Sequence, residues 1–434
     1  MRAVGGREPP ARVWTRWVQL ALASIAMMTA SSPQYVWALF VAPLQNRIGV
    51  SLAAVQVTIA VFSICQCGLG PLHGYLAERF TSHRFAVFGG FLIGASWVLS
   101  SFTTNLLFLW ISYGVLSGIG TGMIYVATVD LMTRWFPDRR GLAIGTVAGS
   151  YGFGAVVTTF PIAASLQANG LHRTLLIYGL GLGAVAILVA MGMKRPSHRD
   201  VPASLDRDEH RRSFTSSEML REPAFWLLFG MMTMIATGGL MAISQLGAIG
   251  RTFGVTEITN VFGLAALPLA LTLDRIANGL TRPFFGWVSD HIGREPTMAV
   301  AFTLEGFATL ALLVCGRDPM LFVLLSGIVF FGWGEIYSLF PGALGDLFGP
   351  KHAANNFGWL LIATAIGSVL GGPLAALLFE QSGSWTLVFC IVAALDLAAA
   401  ILAIVALLPI RRGWATSGHA TLPPTSAETI ESIV

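Results

Sequence analysis

Residues 261–290 read VFGLAALPLALTLDRIANGLTRPFFGWVSD, an apolar run that nevertheless carries Arg275 and Arg282. A helix crossing a bilayer needs about 20 predominantly apolar residues, and this run supplies them. An arginine at mid-bilayer costs roughly 2.5–3.5 kcal/mol even on a lenient insertion scale, so it is rarely kept without a partner or a function. The two arginines are seven residues apart. On a helix that spacing is a rotation of about 700° and an advance of about 10 Å, so both face the same way. One face of one helix offers two cations to whatever enters the membrane interior, an arrangement suited to an organic anion.

The rest of the chain has the same character. Of 434 residues 55% are hydrophobic and only 11% charged, and the mean hydropathy is +0.71. A soluble domain is usually about 25% charged, so this is an integral membrane protein of the all-α kind. Net charge +4 does not indicate nucleic acid, because the positive residues fall between the apolar spans. The basic start, Met1–Trp17, runs into a span too long for a signal-peptide core, so no cleaved leader is expected. Cys65, Cys67, Cys315 and Cys390 all lie in apolar segments, and no disulfide is expected.

Twelve spans can be counted, at 17–43, 52–77, 85–103, 106–133, 141–166, 174–193, 223–250, 258–288, 296–315, 320–345, 354–379 and 385–410. They fall into an N-terminal six-helix bundle at 17–193 and a C-terminal one at 223–410, after a segment at 1–16. The polar stretch 194–222 separates the bundles, and a small polar tail at 411–434 is expected to be disordered. With the N-terminus placed in the cytoplasm, 20 Lys and Arg fall inside and four (Arg47, Arg173, Arg251, Arg317) outside. By the positive-inside rule both termini and the central loop are cytoplasmic, in a bacterial-type inner membrane.

The halves repeat. GYLAERFTSH at 74–83 matches GWVSDHIGR at 286–294, and WFPDRRG at 135–141 is echoed by FGPKHAANNFG at 348–358. Both offsets are about 212 residues. Parallel six-span repeats imply two bundles rocking around a central site. The glycine runs beginning at Gly118, Gly149 and Gly367 follow apolar spans, not strands. They read as small-residue faces for close helix approach, not as nucleotide loops.

Twelve spans in two halves, together with Gly286, Ser289, Asp290, Gly293 and Arg294 in their loop, resemble the major facilitator superfamily. The copy at Gly74 departs, with Glu78 for the aspartate and Thr81 and Ser82 for the glycine and the basic residue. Further strings resemble the oxalate:formate antiporter family: Gln34-Tyr35, VSLAAVQ at 50–56, Tyr125, RWFPDRRGLA at 134–143, Ser150-Tyr151-Gly152, NGLTRPFFGWVSDHIGR at 278–294 and WGEIYSLFP at 333–341. The resemblance covers nearly the whole chain. It implies a cavity lined by Gln34, Tyr35, Tyr125, Tyr151, Trp333 and Tyr337, with Arg282 as the carboxylate ligand. The guanidinium fork suits a bidentate carboxylate. The resemblance also implies a second cation, a lysine of the eleventh span, but Thr364 stands there and the only lysines are Lys194 and Lys351.

Other charges lie at membrane depth. Arg275 reads as one half of a structural ion pair with Asp274 or Glu335, and Glu335 alternatively as a proton-carrying carboxylate. Asp130 and Arg134, four apart, are expected to pair locally. Glu305 and Asp396 are expected to be protonated or hydrogen-bonded. With Arg282 as the one clear free cation, a monoanion should be preferred to a dianion.

The function expected is secondary transport of a small mono- or dicarboxylate by alternating access, with Gly286, Asp290, Gly293 and Arg294 as a gating loop. The loop latches one side of the molecule closed or open. A proton-coupled monocarboxylate symporter and a transporter-derived sensor that binds without flux are the alternatives. No Walker motif or cluster of catalytic side chains is present, so neither ATP nor enzymatic chemistry is expected. The expected partners are the substrate anion, a counter-anion or a proton, and the lipid bilayer. No cofactor, metal or nucleic acid is called for, and a monomer should suffice.

Overall fold

The structure is a computed structural model, and it describes residues 13–50, 52–196, 213–255 and 266–416. Among the described residues the helices fall into twelve spans. In sequence order they occupy 13–48, 52–80, 82–100, 106–135, the two arms of Arg140–Gly192, 223–253, 266–292, 294–315, 319–348, 353–382 and 386–416. The fifth and sixth spans run on as one helical stretch except at Gly170, where φ is 72°. Glycine adopts that conformation without steric cost and so turns the chain back. The final helix, Leu408–Thr416, continues past the expected end at 410. The expected disorder of the tail beyond it, and the start of the eighth span at 258, lie outside the described residues.

The expected small-residue runs, and other glycines beside them, bring helices into close contact. A Cβ on Gly89 would lie 2.8 Å from the Gly120 carbonyl, joining the third and fourth spans, and one on Gly183 would lie 2.7 Å from Gly94, joining the sixth and third. Gly154 sits on the Met28 backbone, joining the fifth span to the first, and Gly371 on Thr237, joining the eleventh to the seventh. Fifth-on-first and eleventh-on-seventh are the same contact one half-chain apart. In a bilayer there is no hydrophobic gain from helix pairing, so backbone approach of this kind supplies the association.

The halves meet along two crossings of the same type. The fifth span packs on the eighth, with Gly141 against Gly286, Gly145 against the Arg282 carbonyl, and Gly149 against Gly279. The second packs on the eleventh, with Gly70 against Gly358 and Gly74 against Ala354. These contacts close the halves at one end, which also carries Arg79, Arg134, Arg139, Arg140, Arg294 and Lys351. The central segment docks there too: Phe214 N–H donates to Phe348 O at 2.9 Å, Ser216 Oγ donates to Asn356 Oδ1 at 2.8 Å, and Thr215 caps the short helix Ser216–Met219. Asp130 and Arg134 form the ion pair their spacing predicts, at 2.9 Å.

Several spans are irregular near the middle of the molecule. The first breaks at Val36, after Tyr35. The second has a π-turn at Ile64–Gly68 and bends by 53° between its two parts. The tenth breaks at Gly334 and Glu335, between Trp333 and Ile336. Gly334 is needed there, because a Cβ would strike Thr281 of the eighth span. Irregular backbone at membrane depth is tolerated where it lines a cavity or is buried in protein.

Candidate functional site

Those breaks surround Arg282. Its side chain is 2% exposed, on the face of the eighth span turned to the other half. One terminal nitrogen donates to Ala148 O at 2.5 Å, in the fifth span. The other donates to Asn278 Oδ1 at 2.7 Å, one turn back on its own helix. Both acceptors are neutral. The guanidinium carbon lies 4.6 Å from the centre of the Tyr337 ring, a cation–π distance. Nε–H has no partner. Of five N–H donors two are used, so the side chain retains capacity and a full charge with no carboxylate bonded to it.

The expected aromatic residues do converge. Tyr337 meets Tyr125 at 6.2 Å between ring centres and Trp333 at 5.8 Å. Tyr125 meets Tyr151 at 5.9 Å, and Tyr151 meets Tyr35 at 5.5 Å. The Tyr151 hydroxyl donates to Gln34 Oε1 at 2.5 Å. Five rings from the first, fourth, fifth and tenth spans thus form one continuous group beside the guanidinium. Tyr125 OH and Trp333 Nε1 are buried without any hydrogen-bond partner. Buried polar groups are normally paired, and here two donors of the aromatic group and the Nε–H of Arg282 are not.

Two members were not visible in the sequence. Gln66 Nε2 donates to Tyr151 OH at 3.1 Å, and Phe357 stacks on Tyr125 at 6.0 Å. Gln66 is presented by the π-turn, and such turns recur at functional sites. The only prior signal was the Gly68-x-Gly70-Pro71 break that follows it. Thr364 is buried with its hydroxyl unpartnered, and Leu361 one turn earlier is core.

The charged residues are arranged differently from expectation. Arg275 forms no ion pair with Asp274 or Glu335, which corrects the structural-pair reading. It is exposed, and its guanidinium lies 5.4 Å from the centre of the Tyr35 ring. The reason is rotation: Asp274 is turned about 100° from its neighbour and lies beside Ser326 of the tenth span, 2% exposed. Glu335 is fully buried, with neither oxygen hydrogen-bonded. It lies within the field of Arg282, Glu305 and Asp396 but makes no ion pair. Glu305 and Asp396 are buried beside one another in the ninth and twelfth spans, likewise without hydrogen bonds. Among the described residues no group of acidic, His and Cys side chains is placed to hold a metal ion. The four cysteines are free thiols.

The residues expected to form a gating loop sit at the end where the halves meet. Asp290 accepts from Gly141 N–H at 2.9 Å and Leu142 N–H at 2.8 Å, the first turn of the fifth span. Arg294 bonds Asp290 at 2.7 Å and Asp346 at 3.1 Å, and Asp346 in turn holds Arg140 at 3.1 Å. Gly286 gives the backbone room to touch Gly141.

A fold of two six-helix repeats around a buried cation is that of a transporter, and comparison with known proteins agrees. The Major Facilitator Superfamily profile matches residues 20–277 and 249–429. The chain belongs to that superfamily. It is similar to the oxalate:formate antiporter of Oxalobacter formigenes, with 33% identity over 383 residues, 87% of this chain and 88% of that protein. It is also similar to monocarboxylate transporter 12 of Xenopus laevis, 24% identical across 76% of each chain. Among solved structures, the transporter FucP in its outward conformation superimposes with a TM-score of 0.70 at 14% identity, covering 92% of this chain and 99% of that one. The proton:xylose symporter XylE gives 0.66 at 15% identity, covering 91% and 96%. These two likenesses concern the fold.

Proposed function

We propose that the protein carries a small organic carboxylate across the cytoplasmic membrane by alternating access. The closed, arginine-rich end would face the cytoplasm together with both termini, a placement the positive-inside rule supports. The observation that carries the substrate class is Arg282: a buried guanidinium bonded only to neutral oxygens, with a free Nε–H and two orphaned donors nearby. A carboxylate would accept from Nε–H, from Tyr125 OH and from Trp333 Nε1, while the rings exclude water. The resemblance to an oxalate:formate antiporter and to a monocarboxylate transporter supports the same class.

The site's charge also supplies the coupling. An uncompensated buried ion costs several kcal/mol, so closing both gates over an empty Arg282 is disfavoured and closing them over a bound anion is not. Net movement then requires a substrate in the site on each passage, which is exchange. Arg282→Lys keeps the charge but loses the planar two-point grip, and uptake of labelled carboxylate into proteoliposomes should fall by about tenfold or more. Arg282→Gln should abolish it in protein that still folds. Full uptake by Arg282→Gln would overturn the assignment.

A second reading, proton-linked uptake, is favoured by Glu335, a fully buried carboxyl within the field of Arg282. If Glu335 carries a proton, Glu335→Gln should uncouple uptake from a pH gradient and leave carboxylate exchange running. Loss of exchange as well would reject that role.

A further inference from the structure

A second cavity lies away from the space between the halves. It opens at the closed end, within the N-terminal half, where the sixth span ends beside the start of the third. Its volume is about 380 Å³, and it is lined by Thr81, His83, Met191, Met193, Lys194 and Arg195. It shares no residue with the group around Arg282. No carboxylate lines it, whereas Lys194 and Arg195 both do.

The two basic residues are held in place and do not float on a loop. The chain leaving the sixth span is tied to two other spans. Gln19 Nε2 donates to Gly192 O at 3.2 Å, and Lys194 N–H donates to Gln19 Oε1 at 2.8 Å. Trp135 Nε1 donates to Lys194 O at 2.7 Å. Arg195 is oriented in turn, its guanidinium donating to Ser82 Oγ at 3.3 Å at the start of the third span. The nearest acid is Asp130, 3.9 Å from Arg195. Asp130 is already engaged at closer range, by Arg134 at 2.9 Å and by the Ser82 hydroxyl at 2.5 Å. Arg195 therefore keeps most of its charge, and among the described residues no carboxylate pairs with Lys194 or with the neighbouring Arg84.

The cavity has an apolar side that runs out to the lipid. Met191 lines it and is yet 63% exposed, and Leu188, about one turn deeper on the same helix, is 68% exposed. A methionine and a leucine so exposed on a membrane-spanning helix are covered by acyl chains. Fixed cations above and an acyl-covered strip below match one kind of molecule, with an anionic head and a hydrocarbon tail. We propose that this cavity binds an anionic phospholipid of the surrounding bilayer, its phosphate held between Lys194 and Arg195 and an acyl chain lying along Met191 and Leu188. The guanidinium fork can take two phosphate oxygens and the ammonium a third.

The test follows thermal unfolding of the purified full-length protein in detergent, because a ligand that binds the folded state raises the midpoint with its concentration. Phosphatidylglycerol should raise it saturably. Phosphatidylcholine with the same chains, and glycerol phosphate with none, should each leave it within about 1 °C of the lipid-free value. A basic residue beside an anionic lipid surface contributes about fivefold in affinity. Lys194→Gln combined with Arg195→Gln should therefore raise the half-saturating phosphatidylglycerol concentration by about thirtyfold. Arg139→Gln, which removes an exposed charge of the same end outside the cavity, should change it by less than about twofold. Native mass spectrometry of the same samples should show phosphatidylglycerol retained by wild type and by Arg139→Gln and lost from the double variant. Equal stabilisation by phosphatidylcholine would show that the charge is not read. An equal loss in Arg139→Gln would show diffuse attraction to the whole basic end. A shift produced by glycerol phosphate alone would make the ligand a soluble phosphate. Each of these, or an unchanged response in the double variant, overturns the proposal.

Discussion

The loops at 74–82 and 286–294 occupy the same place in the two halves, yet they hold the closed end by different chemistry. In each, a carboxylate reaches across the interface to the N-terminal turn of a helix in the other half, where free N–H groups and the helix dipole favour an anion. Asp290 does so with two backbone bonds and adds Arg294, which passes the contact on to Asp346 and Arg140. Glu78 accepts one backbone bond, from Asn355 N–H at 3.2 Å, and pairs with His352 Nδ1 at 3.1 Å. The first network is nearly sealed, with Asp290 and Arg294 side chains 7% exposed; the second is open, at 20% for Glu78 and 25% for His352. The backbones differ as well. Gly293 has φ 95° and ψ 161°, whereas Thr81 at the equivalent position has φ 66° and ψ 134°. Repeat symmetry has preserved where the carboxylate goes and let its surroundings diverge, so the two latches should differ in strength.

The largest effect should come from Asp290→Ala, which leaves two N–H groups unpaired and takes from the buried Arg294 one of its two carboxylates, Asp346 remaining. Removing one partner of a buried pair costs about 3–5 kcal/mol. Thermal unfolding in detergent should show this loss, and transport should fall with it as the closed end loosens. Next comes Gly293→Ala. Its backbone lies in a region essentially reserved for glycine, and the substitution should cost about 1–3 kcal/mol. The equivalent change Thr81→Ala should be near neutral, since a side chain is already accommodated there. Glu78→Ala, which breaks a partly exposed pair, should cost about 1 kcal/mol or less. Equal losses for Asp290→Ala and Glu78→Ala would show that the two latches are equivalent and the contrast in burial is irrelevant.

The smallest effect is expected of Thr81→Gly. It relieves a β-branched residue held at positive φ but frees the unfolded chain, and the two changes offset to within about 1 kcal/mol. The sign matters more than the size. A stabilised variant with slower transport would mean that the strain at Thr81 helps the first-half latch to release.

Much of this was legible in one dimension. Span count, the half-chain repeat and the loop charges follow from local composition, because lipid forces each segment to satisfy its own backbone and bury its own apolar length. Arg282 was legible too, since a cation in an apolar run is anomalous whatever surrounds it. The convergence of Tyr35, Tyr125, Tyr151, Trp333 and Tyr337 followed from resemblance and not from any single helix. What only the tertiary structure decided was who meets whom. Arg275 could have turned to Asp274, to Glu335 or to the cleft; helix rotation and the glycine crossings at Gly145 and Gly149 set it on Tyr35, 240 positions away in the chain. Gln66, carried on a π-turn, reaches Tyr151, and Glu335, at the break in the tenth span, is left without a donor. Sequence specifies which charges must be buried, but their partners depend on rotations of a few tens of degrees between helices far apart in the chain, and those are settled by packing alone.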